Sequence, residues 1–249
     1  MSWQQWAKMP CNWQTNPEAH LLIGEADTGA AIAALKLYIA LCLKANYKPN
    51  KTFATPGMVR LSVDRLCALT GVSKPMTIAG LRLLQTWGVI QCHGGRPAVY
   101  EIVEYNAAPY WTKLPCNQLY AGWNQNILGA LEAMANRGKT RLHALQAYLY
   151  LASIRDKSSL KARVAYTQFS NVLGISRNDI SSAISTLVND DLIAVRLGEL
   201  TDFSETGRPS NEYWLRGTIS DDIRETVSRA KGMQKWNSIA TADEFVDLS

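Results

Sequence analysis

The chain has 249 residues, 47% of them apolar, enough for one large domain or two small ones with a real core. A net charge of +5 and a pI near 8.9 permit a polyanionic partner without demanding one. No run of 18 apolar residues suggests a membrane span, and MSWQQWAKMP lacks the pattern of a secretory signal. The odd set of cysteines at 11, 42, 67, 92 and 116 contains no Cys-x-x-Cys, and His20, His93 and His143 form no ligand spacing. No metal site and no cofactor are therefore expected, and a reducing cytoplasm is the expected compartment.

In chain order, the leader WAKMPCN at 6–12 precedes a long amphipathic helix over Gly29–Asn46, which contains AALKLYIAL at 33–41. Val59-Arg60-Leu61 can form a short strand. A helix over Ser62–Leu69 stops where Gly71 supplies a positive φ. Ser73 then caps a second helix that tolerates Pro75 in its first turn, turns Leu81 and Leu84 inward and ends at Gly88. Ile90–Cys92 and Ala98–Glu104 form a hairpin across Gly94-Gly95-Arg96-Pro97.

Beyond a boundary near Asn106-Ala107-Ala108-Pro109 the series begins again. WTKLPCN stands at 111–117, a long helix covers Leu142–Asp156 with HALQAYLYL at 143–151, and Arg163-Val164-Ala165 can be a strand. Thr167–Leu173, Gly174 and Ser176 repeat the short helix, its stop and the next cap, and Ile180, Ile184 and Leu187 turn inward. Ala194–Leu197 and Glu212–Leu215 form a hairpin with a longer turn that holds Gly207-Arg208-Pro209. LCALTGVSKPMTIAGLRLLQTWGVI at 66–90 lies without a gap on FSNVLGISRNDISSAISTLVNDDLI at 169–193. These anchors in one order imply two copies of one unit. Residues 1–108 and 109–232 are expected as two domains, and 233–249 as an acidic, flexible tail.

Helix, tight turn, helix, hairpin is the order of a winged helix. Its second helix enters the DNA major groove, and its hairpin, the wing, follows the backbone or dips into the minor groove. The expected fold is α+β, mainly helical, with two tandem winged-helix (helix-turn-helix) domains. Arg96 and Arg208 would be the wing tips, drawn by the negative potential of a narrow minor groove. Gly-Arg-Pro is also good turn chemistry; its recurrence at matching points favours DNA contact.

The leader WxKMPCN, the string ALKLYIAL and LSVDRLCALTGVSKPMTIAGLRLLQTWGVI resemble the winged-helix domains of plasmid and phage replication initiators and replisome organisers, over roughly residues 6–105 and 111–216. The resemblance implies tandem winged helices that bind repeated origin sequences and recruit host replication machinery. The helix-turn-helix string equally suits a transcriptional regulator of a mobile element, and winged helices also serve as protein-contact modules.

The second helices differ in chemistry. In the second copy Ser176, Arg177, Asn178, Ser181, Ser182 and Ser185 face outward as donors and acceptors for base edges and phosphates, with Asp179 either a cytosine contact or a helix cap. In the first copy the outward set is Ser73, Lys74, Met76, Ile78, Ala79 and Arg82, so Lys74 and Arg82 hold phosphates and base readout falls to the second copy. Ile78, Leu83 and Trp87 are alternatively an exposed surface for a partner protein, or Leu83 and Trp87 pack inward. Between Arg137 and Arg163 lie Lys139, Arg141, Arg155, Lys157 and Lys161 with Asp156 the only acid, either phosphate-binding surface (Lys139, Arg141, Lys161 and Arg163 above all) or a solvated face.

Trp6 and Trp111, at one repeat position, are expected to pack on the long helices. Ser220–Met233 reads as a last helix, and Phe245, Val246 and Leu248 in the tail are either partner-protein anchors or part of a frayed end. Asp190-Asp191 reads as a solvated turn. No phosphate loop, nucleophile elbow or paired His/Cys set is present, so no enzyme and no catalytic residue are expected.

Overall fold

The computed structural model describes residues 6–120, 126–156, 158–196 and 210–217. The Gly198–Ser210 turn up to Pro209, with Arg208, lies outside them, as do Lys157, Trp3, Trp123, the Ser220–Met233 helix and the tail with Phe245 and Leu248. The first repeat runs β1 (Trp6–Pro10), α1 (Pro17–Glu25), α2 (Thr28–Lys44), β2 (Met58–Leu61), α3 (Val63–Thr70), α4 (Lys74–Thr86), β3 (Ile90–Cys92) and β4 (Ala98–Ile102). The second runs β5 (Trp111–Pro115), α5 (Cys116–Leu119), α6 (Gly129–Ala133), α7 (Lys139–Ile154), β6 (Lys161–Val164), α8 (Tyr166–Leu173), α9 (Arg177–Asn189), β7 (Ile193–Arg196) and β8 (Asn211–Leu215). The architecture is α+β, with antiparallel sheets ordered β1-β5, β2-β4-β3 and β6-β8-β7. No helix of the described residues is long and apolar enough to cross a membrane.

Local chemistry sets the helix boundaries. Asn16, Asp27 and Ser62 cap α1, α2 and α3 by accepting from the backbone N–H groups of Glu18, Ala30 and Arg65. Gly71 and Gly174 end α3 and α8 in the left-handed region at φ 65° and 66°, where only glycine sits without strain. Periodicity alone does not announce α1, α5 or α6, each a short segment between a leader and a long helix.

The long helices differ from the expected amphipathic pattern. Every residue of α2 from Ala30 to Leu43 is buried, and α7 is buried at Leu142 and throughout Ala144–Ala152. A helix that is apolar on all sides belongs inside the protein. Each covered Leu or Ile contributes about 1.5–3 kcal/mol relative to exposure. α4 packs on α2 and α9 on α7, and α2 and α7 pack on each other. Met9, Tyr38, Leu145 and Tyr213 belong to one continuous apolar cluster, so residues 1–108 and 109–217 share a core.

The repeats meet about a pseudo-twofold axis. β1 and β5 pair antiparallel with Trp6 opposite Pro115, Lys8 opposite Lys113 and Pro10 opposite Trp111. Exchanging the repeats returns the same register, with the axis through the two lysines. α1 lies against α8 while its counterpart α6 lies against α3, so the same contact is made twice. This is the geometry of a symmetric dimer interface, built within one chain. Trp6 and Trp111 do not pack on the long helices as expected. They stack on each other at 6.0 Å, with Lys113 over the Trp6 ring and Lys8 over the Trp111 ring. Trp13 does pack on its long helix, edge-on to Tyr38.

Equivalent positions on α2 and α7 reach across this junction with different side chains. Gln146 hydrogen-bonds the His20 ring at 3.3 Å, and the other His20 nitrogen bonds the Gln14 carbonyl at 2.9 Å. Lys36 is fully buried, and its ammonium donates to the Met134 carbonyl and to Asn136 Oδ1, each at 2.6 Å. Asn136 in turn donates to the Gly71 carbonyl at 2.8 Å, which ties the α3–α4 turn to the second repeat.

Burial lowers the Lys36 pKa to about 8, with Arg141 acting in the same direction. The unfolded chain holds that proton up to its ordinary value of 10.5. Between pH 8 and 10.5 the unfolded state therefore binds more protons, and this group stabilises the fold as pH rises. Comparing urea unfolding of the wild type with Lys36→Met, the difference should shift toward the wild type by about 2 kcal/mol from pH 7 to 9.5. A difference independent of pH would show that the buried ammonium is not titrating there.

Candidate nucleic-acid interface

Each α3–α4 and α8–α9 pair is joined by a three-residue turn, Gly71–Ser73 and Gly174–Ser176, and presents one face of its second helix to solvent. In α4 the inward residues Thr77, Gly80, Leu81 and Leu84 are buried, and Lys74, Ile78, Arg82 and Gln85 share the exposed stripe. A Cβ on Gly80 would come within 2.8 Å of the Ala34 backbone nitrogen, so α4 crosses α2 at close range. The equivalent residue of α9 is Ala183, which is buried against α7 with its methyl group in place.

The first face is basic and partly apolar. Lys74 pairs with Asp64 at 2.8 Å on the surface, and Arg82 is exposed. Ile78 is 37% exposed. Leu83 and Trp87 are not the exposed partner surface expected of them: both are half-buried against the apolar cluster. Met76 and Ala79 are also half-buried rather than outward, and the tip of the Met76 side chain lies beside Gly29. Arg96 is exposed on the β3–β4 turn, which closes through Val99 N–H donating to the Gly94 carbonyl at 2.9 Å.

In the second face several expected contact residues are committed within the helix pair. The Ser176 hydroxyl donates to Asp179 Oδ2 at 2.6 Å while accepting from the Asp179 N–H, so these two residues form the helix cap. Ser182 donates to the Asn178 carbonyl at 3.1 Å. Ser181 and Ser185 are half-buried. Burial raises the Tyr166 pKa against its hydrogen bond with Ser181 and the nearby Arg177 charge. The Arg177 guanidinium lies 5.9 Å from the Tyr166 ring centre. Arg177, Asn178 and Ser182 remain as the exposed polar set.

The basic run between 137 and 163 disperses in space. Lys139 is exposed in the first turn of α7. Arg155 is buried and donates to the Lys113 carbonyl. Arg141 pairs with Asp190 at 2.7 Å, and Asp191 pairs with Arg216 at 3.2 Å and accepts from Gln118, so Asp190-Asp191 is not a merely solvated turn. Lys161 and Arg163 converge on Glu212 at 3.4 and 2.7 Å, joined by Arg196 at 2.9 Å. Burial pushes the Glu212 carboxyl up, but the three cations together hold it below its ordinary value. Counting acids along the chain misses Asp190 and Glu212, which come from distant segments. The available signal for Glu212 is a lone acid in the apolar strand NEYWL, able to face both neighbouring strands.

Among the described residues no group of three His, Cys, Asp or Glu side chains could hold a metal ion. No protein-family model, curated protein or solved structure matches the chain.

Gly80→Val should force α4 away from α2 and lower stability by about 1–3 kcal/mol in urea unfolding. Unchanged stability would contradict the close crossing.

Proposed function

We propose that the protein is a sequence-specific double-stranded DNA-binding protein with two tandem winged helices, and that it initiates replication of a plasmid or phage by binding repeated origin sites. The observation that carries the reading is the exposed Arg177, Asn178 and Ser182 set at the start of α9, braced by its cap and by a helix buried on all sides. Arginine and asparagine at the start of a second helix suit bidentate contact with guanine and adenine edges. Lys74 and Arg82 on α4, Arg96 on its hairpin and Lys139 supply phosphate contacts. Lys139 stands where the helix dipole favours an anion over a cation. The resemblance of the leader, long-helix and helix-turn-helix strings supports an initiator, with host replication machinery as the further partner.

Selection from random duplexes, followed by footprinting, tests the reading. Two engaged helices should protect half-sites about 10 base pairs apart. Affinity should fall by about three to five orders of magnitude between 50 and 200 mM salt for six to ten phosphate contacts. Arg177→Ala or Asn178→Ala should cost about 1–3 kcal/mol and relax preference at one or two positions. Unchanged base preference in both variants would remove α9 as the reader. Selected motifs that recur as direct repeats beside an AT-rich stretch favour an initiator; a single operator overlapping a promoter favours a regulator.

A further inference from the structure

The outer face of the β6-β8-β7 sheet concentrates charge in a way its counterpart does not. Along β8, Tyr213 and Leu215 turn into the apolar cluster, so Glu212 and Trp214 belong to the opposite face. Glu212 is opposite Arg163 on one neighbouring strand and Arg196 on the other. Arg163 places Nε and Nη2 on Oε1 at 2.8 and 2.7 Å. Arg196 Nε takes Oε2 at 2.9 Å, and Lys161 approaches the same oxygen at 3.4 Å while lying over the Trp214 ring. The carboxylate is covered, at 3% exposure, but the side chains of Arg163 and Arg196 are 67% and 48% exposed. Three cations around one acid leave a surplus of two positive charges, held in fixed positions at the surface.

The first repeat has no such surplus. Arg60, the counterpart of Arg163, is opposite Val99. His93, whose N–H bonds the Val99 carbonyl, takes the place of Arg196 and pairs with Glu101 at 2.7 Å. The two sheets share a register and differ in whether an acid lies at the centre of a cationic ring.

We infer that Lys161, Arg163 and Arg196, arranged by Glu212, form a clamp for a backbone phosphate of duplex DNA on the second hairpin sheet, with Glu212 a positioning residue. This rests on the duplex-binding reading above. An arginine retains several N–H donors after pairing once with a carboxylate, and its planar fork matches phosphate oxygens. Two arginines whose side chains are already ordered lose less conformational entropy on binding than two free ones. The contact carries no base information, so it fixes register and affinity rather than preference.

The test is an anisotropy titration of the selected duplex and of a random one across 50–200 mM salt. It uses the full chain and its Arg196→Ala, Arg196→Lys and Glu212→Gln variants, with thermal unfolding in parallel. Arg196→Ala should lower the slope of log affinity against log salt by about 1 and weaken both duplexes by the same factor. Arg196→Lys should restore the slope. Glu212→Gln raises the net positive charge by one yet should weaken both duplexes, because the guanidinium groups lose their anchor. Tighter binding by Glu212→Gln, or an unchanged slope in Arg196→Ala, would overturn the clamp, and the latter result would leave these cations to another anion such as an acidic protein segment. If Glu212→Gln unfolds, the two Arg196 variants decide the matter. A wild-type chain that binds neither duplex sinks the parent reading and the clamp together. A steep wild-type slope that persists in Arg196→Ala sinks the clamp alone.

Discussion

The pairing of β1 with β5 about Lys8 and Lys113 is the constraint on which the rest of the molecule depends. α2 and α7 are apolar on every side, so each needs cover on more than one face. The helix of its own pair supplies one face, α4 for α2 and α9 for α7, and the opposite repeat supplies another. The strand pairing holds the two long helices in mutual contact and brings α1 and α6 over the opposite helix pairs. A single repeat on its own would leave a long apolar stripe in water, so the duplication is part of how each half folds.

On this symmetric frame the chemistry is deliberately unequal. Lys36 and Gln146 occupy equivalent places, one as a buried cation and the other as a neutral amide. Gly80 allows a closer helix crossing than Ala183. The first hairpin sheet balances His93 against Glu101, whereas the second gathers three cations on Glu212. Backbone geometry follows the apolar pattern shared by both repeats, and divergence is confined to polar positions that the pattern leaves free.

Much of the repeat was legible in the sequence because its signals are local. Gly71, Gly174, Ser73 and Ser176 mark the helix stops and starts where the structure has them, and the paired apolar runs around Gly94-Gly95 mark a hairpin. Local reading failed where a partner comes from far along the chain. WAKMPCN and WTKLPCN are recognisable as repeats, but nothing within either string says that they pair with each other. Nor does the string around Arg141 or Arg163 reveal that Asp190 and Glu212 will meet them. AALKLYIAL reads as amphipathic because Lys36 interrupts it, yet that lysine finds its acceptors in the opposite repeat. Of the second helix face, the polar character was readable, while the inward turn of Ser176 and Ser182 to local partners depends on cap geometry.

The link between the halves also changes how the assembly responds to dilution. Two separate subunits joined by the same strand pairing would part as their concentration fell, because their stability is set by mass action. Here the residues between Ile102 and Trp111 keep the two strands permanently near each other, which acts as a high local concentration independent of the amount of protein. A few molecules per cell would therefore be as fully assembled as many. A substitution in either half also alters one side alone, where in a dimer of identical chains it would appear on both.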